Sequence, residues 1–197
     1  RYGAERPQII LGGLGDDTLA GGMAADLIVG GGGKNLLAGG GGADRFVFTN
    51  ADGQGDVIQD FRPAEGDVLD FDVLFAGKSG RLQDYLRVVA DPEGARLQID
   101  SDGTGPVPAG RFVLLKNLMA SQVDLSGLAE QGALTAGALT PATRLAIEAT
   151  QPNAAENGPR AGEVRIVRTG VLAAPLVVQL EVRGSAANGI DFASLPT

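Results

Sequence analysis

The 197-residue chain contains no cysteine, no histidine and no tryptophan. Without cysteine it forms no disulfide, so stability in an oxidising environment must come from packing or from bound metal. Zinc and the soft metals lose their usual ligands, whereas oxygen-seeking cations keep a full supply of carboxylates. A serine nucleophile would lack its usual general base, so no nucleophile–base–orienter set can be assembled, and we expect no enzyme. Asp70 and Asp72 imitate a glycosidase dyad, but aromatics are only 5% of the chain and no sugar platform accompanies them. No run of about 18 apolar residues occurs, so we expect no transmembrane segment. No signal peptide opens the chain, and Arg1 is not an initiator; an excerpt of a longer protein is expected.

Positive charge is scarce in one half. Residues 1–72 hold 12 acids against 5 bases, while residues 73–197 hold 12 against 11, within a net charge of −8. Acids gathered to bind cations produce this asymmetry. A nucleic-acid partner would want the opposite sign, and we expect none. Hydrophobic residues make up 44% of the chain, ample for a core, and the length suits one or two domains.

What the chain has in abundance is glycine, in strict register. Residues 12–47 divide into blocks of nine: GGLGDDTLA, GGMAADLIV, GGGGKNLLA and GGGGADRFV. Every block opens on two glycines. The sixth positions are Asp17, Asp26, Asn35 and Asp44, and the eighth are Leu19, Ile28, Leu37 and Phe46. Gly-Gly-x-Gly tolerates positive φ, so the chain can turn tightly with its carbonyls pointing inward. The acid at position six ends that turn and offers a hard oxygen, the donor that Ca²⁺ selects together with backbone carbonyls. Positions seven to nine suit a short strand whose eighth side chain points into the core. A flexible glycine linker would not keep apolar residues in register with acids two positions earlier. A phosphate-binding loop fails too, because Ile28 and Asn35 stand where glycine and Ser or Thr are required.

The nine-residue pattern resembles the repeats-in-toxin (RTX) family of secreted calcium-binding proteins. The resemblance implies a parallel β-roll in which one block is half a coil, so that each turn stacks on the turn two blocks away with calcium between them. Asp26 then pairs with Asp44 on one edge, and Asp17 with Asn35 on the other. The implied metal-site residues are Gly12, Gly13, Gly15 and Asp17; Gly21, Gly22, Ala24 and Asp26; Gly30, Gly31, Gly33 and Asn35; and Gly39, Gly40, Gly42 and Asp44. The edge with both charges is expected to bind more tightly. Residues 3–11 look like a degraded repeat, with Gly3 in frame, Ile10 at the core position and Gln8 in place of the acid. That predicts a cap.

After Asp44 the glycines thin out. Gly42-Ala43-Asp44-Arg45-Phe46-Val47-Phe48, Asp56-Val57-Ile58-Gln59-Asp60-Phe61 and Gly66-Asp67-Val68-Leu69-Asp70 resemble the segment that closes RTX rolls. Phe46 and Phe48 share a strand face, and Phe61 and Phe71 are placed to cover the roll's open end. Asp56 and Asp60 are either calcium ligands or turn caps, the second being common chemistry for Asp beside Gly. Residues 73–130 resemble the target segment of type I-secreted RTX proteins. They suggest a short helix at Leu82, Tyr85 and Leu86, and strands around Arg96–Asp100 and Phe112–Leu115. Asp100-Ser101-Asp102-Gly103 lacks the remaining ligands of an EF-hand and reads as a hairpin turn.

Residues 131–142 are small, uncharged and breaker-rich, and read as a linker. Residues 143–197 suggest strands at Leu145–Thr150, Glu163–Arg168 and Leu176–Val182. They resemble the first half of a Calx-β domain, a calcium-binding immunoglobulin-like sandwich. That resemblance implies Glu156 and Asp191 as ligands of a site completed further along. The expected architecture is therefore all-β. A glycine-repeat β-roll with closing strands (1–72) precedes a β-rich secretion-target-like segment (73–130), a linker (131–142) and a partial sandwich (143–197).

The function these readings imply is a calcium-dependent structural or adhesive segment of a large type I-secreted extracellular or surface protein. Its partners would be calcium ions, cell-surface or matrix components, or copies of itself. RTX rolls also form the non-catalytic tails of secreted hydrolases, which is the alternative. A cytosolic calcium sensor is disfavoured, since these turns lack the clustered carboxylates of a micromolar site.

Overall fold

A computed structural model describes residues 6–49, 54–105, 111–140, 144–151 and 163–169. The chain divides into two compact units, Arg1–Ala142 and Thr143–Thr197.

In the first unit the degraded repeat yields β1 (Ile9–Gly13) and the four glycine blocks yield β2 (Thr18–Gly22), β3 (Leu27–Gly31), β4 (Leu36–Gly40) and β5 (Arg45–Val47). The closing segment adds β6 (Gln54–Ile58) and β7 (Val68–Asp70). Then follow β8 (Gly80–Arg81), helix α1 (Leu82–Tyr85), β9 (Leu86–Asp91), β10 (Gly94–Ile99), β11 (Phe112–Leu115), helix α2 (Leu125–Glu130), β12 (Leu134–Thr135) and β13 (Leu139–Thr140).

Strands β1 to β7 alternate between two sheets, ordered β1-β3-β5-β7-β12 and β2-β4-β6-β11-β10-β9, and β8 pairs with β13 apart from them. The glycine-block strands pair in parallel with the strand two blocks away, so one block is half a coil of a parallel β-roll. Because side chains alternate along a strand, the eighth positions fall into two inward columns. Ile10, Ile28, Phe46, Leu69 and Leu134 pair in sequence across one sheet. Leu19, Leu37, Ile58, Leu115 and Ala95 do so across the other. Ile28, Leu37, Phe46, Ile58, Leu69 and Leu115 are essentially sealed from solvent. Each such side chain contributes about 1.5–3 kcal/mol by leaving water.

The roll is closed by an aromatic stack. Phe48 lies on Phe71 with ring centroids 4.6 Å apart, Phe71 on Phe75 at 5.8 Å, and Phe75 meets Tyr85 edge-on at 5.3 Å. Phe61 meets Phe46 edge-on at 6.4 Å. Phe61 and Phe71, read from sequence as covers for the open end, are both fully buried there.

Three sequence expectations change. The roll and residues 73–130 are not separate bodies. β11 pairs in parallel with β6, so the second sheet runs straight into the β9-β10-β11 meander. The short helix ends at Tyr85, and Leu86 opens β9, a strand the helical spacing had concealed. Residues 131–140 are not a linker: β12 extends the first sheet beside β7, β13 pairs with β8, and Leu134 and Leu139 are buried. Two-residue strands leave no periodicity to read, and only an existing sheet edge makes them strands. The expected strands at Arg96–Asp100 and Phe112–Leu115 are β10 and β11, paired antiparallel. Asp100 Oδ1 accepts the N–H groups of Asp102 and Gly103 at 3.1 and 3.0 Å, which makes that segment an Asx-type turn.

In the second unit β14 (Arg144–Gln151) pairs antiparallel with β15 (Glu163–Thr169). These match the first two strands expected there. The third expected strand, Glu156 and Asp191 lie outside the described residues.

Candidate metal centre

The site is built on the two turn edges of the roll. The Asp26, Asn35 and Asp44 side chains each reach back to the coil before, so the residues form two ladders. On one edge Asp26 Oδ1 accepts the Gln8 N–H at 2.7 Å, Asp44 Oδ1 accepts the Asp26 N–H at 2.9 Å, and Asp67 Oδ1 accepts the Asp44 N–H at 3.0 Å. On the other, Asn35 Oδ1 accepts the Asp17 N–H at 3.0 Å and Asp56 Oδ1 accepts the Asn35 N–H at 2.8 Å. Asp26 thus stacks with Asp44 and Asp17 with Asn35, as the half-coil reading requires. Gln8 occupies the first rung, where it supplies an N–H and no charge.

The second carboxylate oxygen has a different job. A Cβ built on Gly12 would collide with Asp17 Oδ2 and with the Gly30 carbonyl oxygen. One on Gly21 would collide with Asp26 Oδ2 and the Gly39 carbonyl oxygen, and one on Gly39 with Asp44 Oδ2. Each of these three opening glycines therefore marks a cradle where a carboxylate oxygen converges, in two cases with a carbonyl from the next coil. Asp17 Oδ2 and Asp44 Oδ2 are buried and accept no hydrogen bond. A buried anionic oxygen without a partner is costly, and a cation in the cradle removes the cost. Among the described residues no group of three or more acid side chains gathers at one point. The remaining ligands of an ion that takes six to eight oxygens must be backbone carbonyls and water. The donor set is hard oxygen throughout, and it fits calcium.

Glycine is required here for approach as well as for turning. Gly31 and Gly40 have φ of +89° and +99°, and a Cβ on either would strike the carbonyl oxygen of Gly13 or Gly22 in the coil below. Gly13, Gly15, Gly33 and Gly42 share the positive-φ conformation, but Ala24, at position four of the second block, does not. That turn is closed differently, by the Gly22 N–H donating to Asp26 Oδ2 at 2.6 Å.

Asp56 and Asp60 are both engaged by backbone. Asp56 continues the Asp17–Asn35 ladder, and Asp60 accepts the N–H groups of Gly39 and Gly40, each at 2.9 Å. Sequence reading passed over Asp67 as a site residue. It tops the acidic ladder and also accepts the Arg62 N–H at 2.7 Å. Its signal was present in Asp67-Val68-Leu69, an acid two residues before a core side chain, as in Asp17–Leu19, Asp26–Ile28 and Asp44–Phe46. The ladder step had lengthened from 18 residues to 23, which broke the frame.

Burial pushes the Asp44 carboxyl up to about 6 from 3.8, against the Asp26 N–H that holds it down, and the charges of Asp67, Asp26 and Asp60 push the same way as burial. Asp56 and Asp67 are also raised, chiefly by burial. A carboxyl raised in the fold binds its proton more tightly there than in the unfolded chain. The metal-free fold therefore keeps this contribution below about pH 4 and loses it as pH rises through about 6. Calcium needs the carboxylate, so its affinity runs the other way. Lowering pH from 7 to 5 should weaken calcium binding at the Asp44 cradle about tenfold, as titration calorimetry across that range would show. A flat profile would contradict the role of Asp44.

This geometry defines a calcium-binding parallel β-roll. The family described as RTX calcium-binding nonapeptide repeat matches over residues 2–37 and 11–46, with four copies of the repeat, so this segment carries RTX repeats and its cofactor is Ca²⁺. No curated relative matches the chain. Among solved structures, the chain is similar to the solution structure of the AlgE6R3 subunit from the Azotobacter vinelandii mannuronan C5-epimerase. The identity is 24% over 87% of this chain and 92% of that one, with a TM-score of 0.38. Among the described residues no helix is long and apolar enough to cross a membrane.

Proposed function

We propose that the chain is a calcium-folded structural segment of a large type I-secreted protein, acting outside the cell or at its surface in adhesion. The observation that carries the calcium-dependent part is the pair of buried, unpartnered oxygens, Asp17 Oδ2 and Asp44 Oδ2, in glycine cradles. A chain whose cradles are empty where calcium is scarce can pass through a channel unfolded and close where calcium is plentiful. RTX repeats are typical of secreted proteins. The resemblance of residues 73–130 to a secretion target and of residues 143–197 to a Calx-β module supports the surface setting. Its partners there are surface or matrix components or further copies of the chain. The active role is the metal's hold on the fold, and no catalytic step is assigned.

Calcium titration of single variants tests the metal assignment. Asp26→Ala and Asp44→Ala should each weaken binding strongly, because each removes a carboxylate oxygen that faces a cradle. Asn35→Ala should weaken it little. Equal losses from all three would overturn the assignment. Export of the chain into the medium by a type I secretion system, with calcium-dependent adhesion of cells that display it, tests the setting.

A further inference from the structure

The third block breaks the pattern of the other three. At Gly12, Gly21 and Gly39 the atom facing the cradle is Oδ2 of Asp17, Asp26 and Asp44. At Gly30 it is Asn35 Nδ2, 2.7 Å from the place a Cβ would take. Asn35 is 2% exposed and cannot reorient freely. Its Oδ1 accepts the Asp17 N–H at 3.0 Å, and its Nδ2 donates to Asp56 Oδ1 at 3.0 Å, the oxygen that also accepts its backbone N–H at 2.8 Å. Flipping the amide would set oxygen against the Asp56 carboxylate and an N–H against the Asp17 N–H, two repulsive contacts in place of two bonds. The network therefore fixes the amide.

The geometry points to an internal substitute for calcium at this position: the Asn35 amino group takes the cation's place, clamping Asp56 and closing the Asn35 rung of its edge without metal. The inference rests on the calcium-binding reading above and adds to it. Three cradles present a carboxylate oxygen and one presents a hydrogen-bond donor, which repels a cation. Asp56 is buried and would otherwise face the same cost as Asp17 and Asp44, but two N–H groups from a single residue satisfy it. The lock stands where the repeats hand over to the closing segment, with the ladder step lengthened from 18 to 21 residues.

Native mass spectrometry of the intact chain at saturating calcium, paired with calcium-dependent folding followed by circular dichroism, tests the lock. Asn35→Asp should raise the number of bound calcium ions by one and steepen folding against calcium concentration by one ion. Asn35→Ala should leave the ion count unchanged and lower the urea midpoint of the calcium-loaded fold. If Asn35→Asp does not fold, Asn35→Ala decides: an unchanged count supports the lock, and loss of one ion makes Asn35 a ligand and overturns it. An unchanged count in a folded Asn35→Asp chain also overturns it. A wild-type chain that binds no calcium at all would instead bring down the calcium-binding reading itself.

Discussion

Removing calcium from the intact chain should abolish the strand signal of the β-roll, and restoring it should bring the signal back. Three terms oppose the metal-free fold. Twelve acids face five bases over residues 1–72, so most of the acid charge repels without a protein counter-ion. Each glycine ordered in place of alanine costs about 0.5–1 kcal/mol. Asp17 and Asp44 keep buried oxygens with no partner. Against these, a site held at a hundredfold excess of calcium over its Kd adds about 2.7 kcal/mol. Three such cradles add about 8 kcal/mol, as much as the whole stability of many domains. Circular dichroism with EDTA and then excess calcium measures this directly. Native strand signal persisting in EDTA would sink the idea.

Gly40→Ala should be far more damaging than Gly13→Ala, although both residues have nearly the same backbone. Their φ values are +99° and +103°, so a side chain at either carries the strain of a sparsely populated conformation, about 1–3 kcal/mol. At Gly13 nothing lies within 4 Å of the new methyl group. At Gly40 the methyl meets the Gly22 carbonyl oxygen, which itself accepts the Gly41 N–H at 2.9 Å. Neither partner is a flexible side chain, so the coils must separate. That disturbs Asp60, which accepts the Gly40 N–H, and the cradle at Gly39 between them. We expect Gly13→Ala to lower the urea midpoint modestly at saturating calcium. Gly40→Ala should raise the calcium needed for folding or prevent folding altogether. Equal losses would mean that conformational strain, and not coil stacking, is what demands glycine here.

The repeats were legible because two periods coincide in them: nine residues per half coil, and an acid two residues before a core side chain. Ile28, Leu37 and Phe46 could be assigned to the core, and Asp26 to a stack with Asp44, because a solenoid repeats one local rule. The sequence by itself therefore determined the roll, its strand alternation and its preference for a hard cation. Tertiary structure decided the rest. Asp67 joined the acidic ladder across a lengthened step, which no fixed frame detects. Residues 131–140 became part of the sheets because Leu134 found Leu69 at an open edge, a contact distant in sequence. Above all, Asn35 looked like a weakened ligand on its spacing alone. Only the placement of Asp17 and Asp56 on either side of it fixed its amide and turned a donor toward the cradle. Spacing specifies which atoms can reach a site, but their orientation depends on neighbours that the chain supplies from other coils.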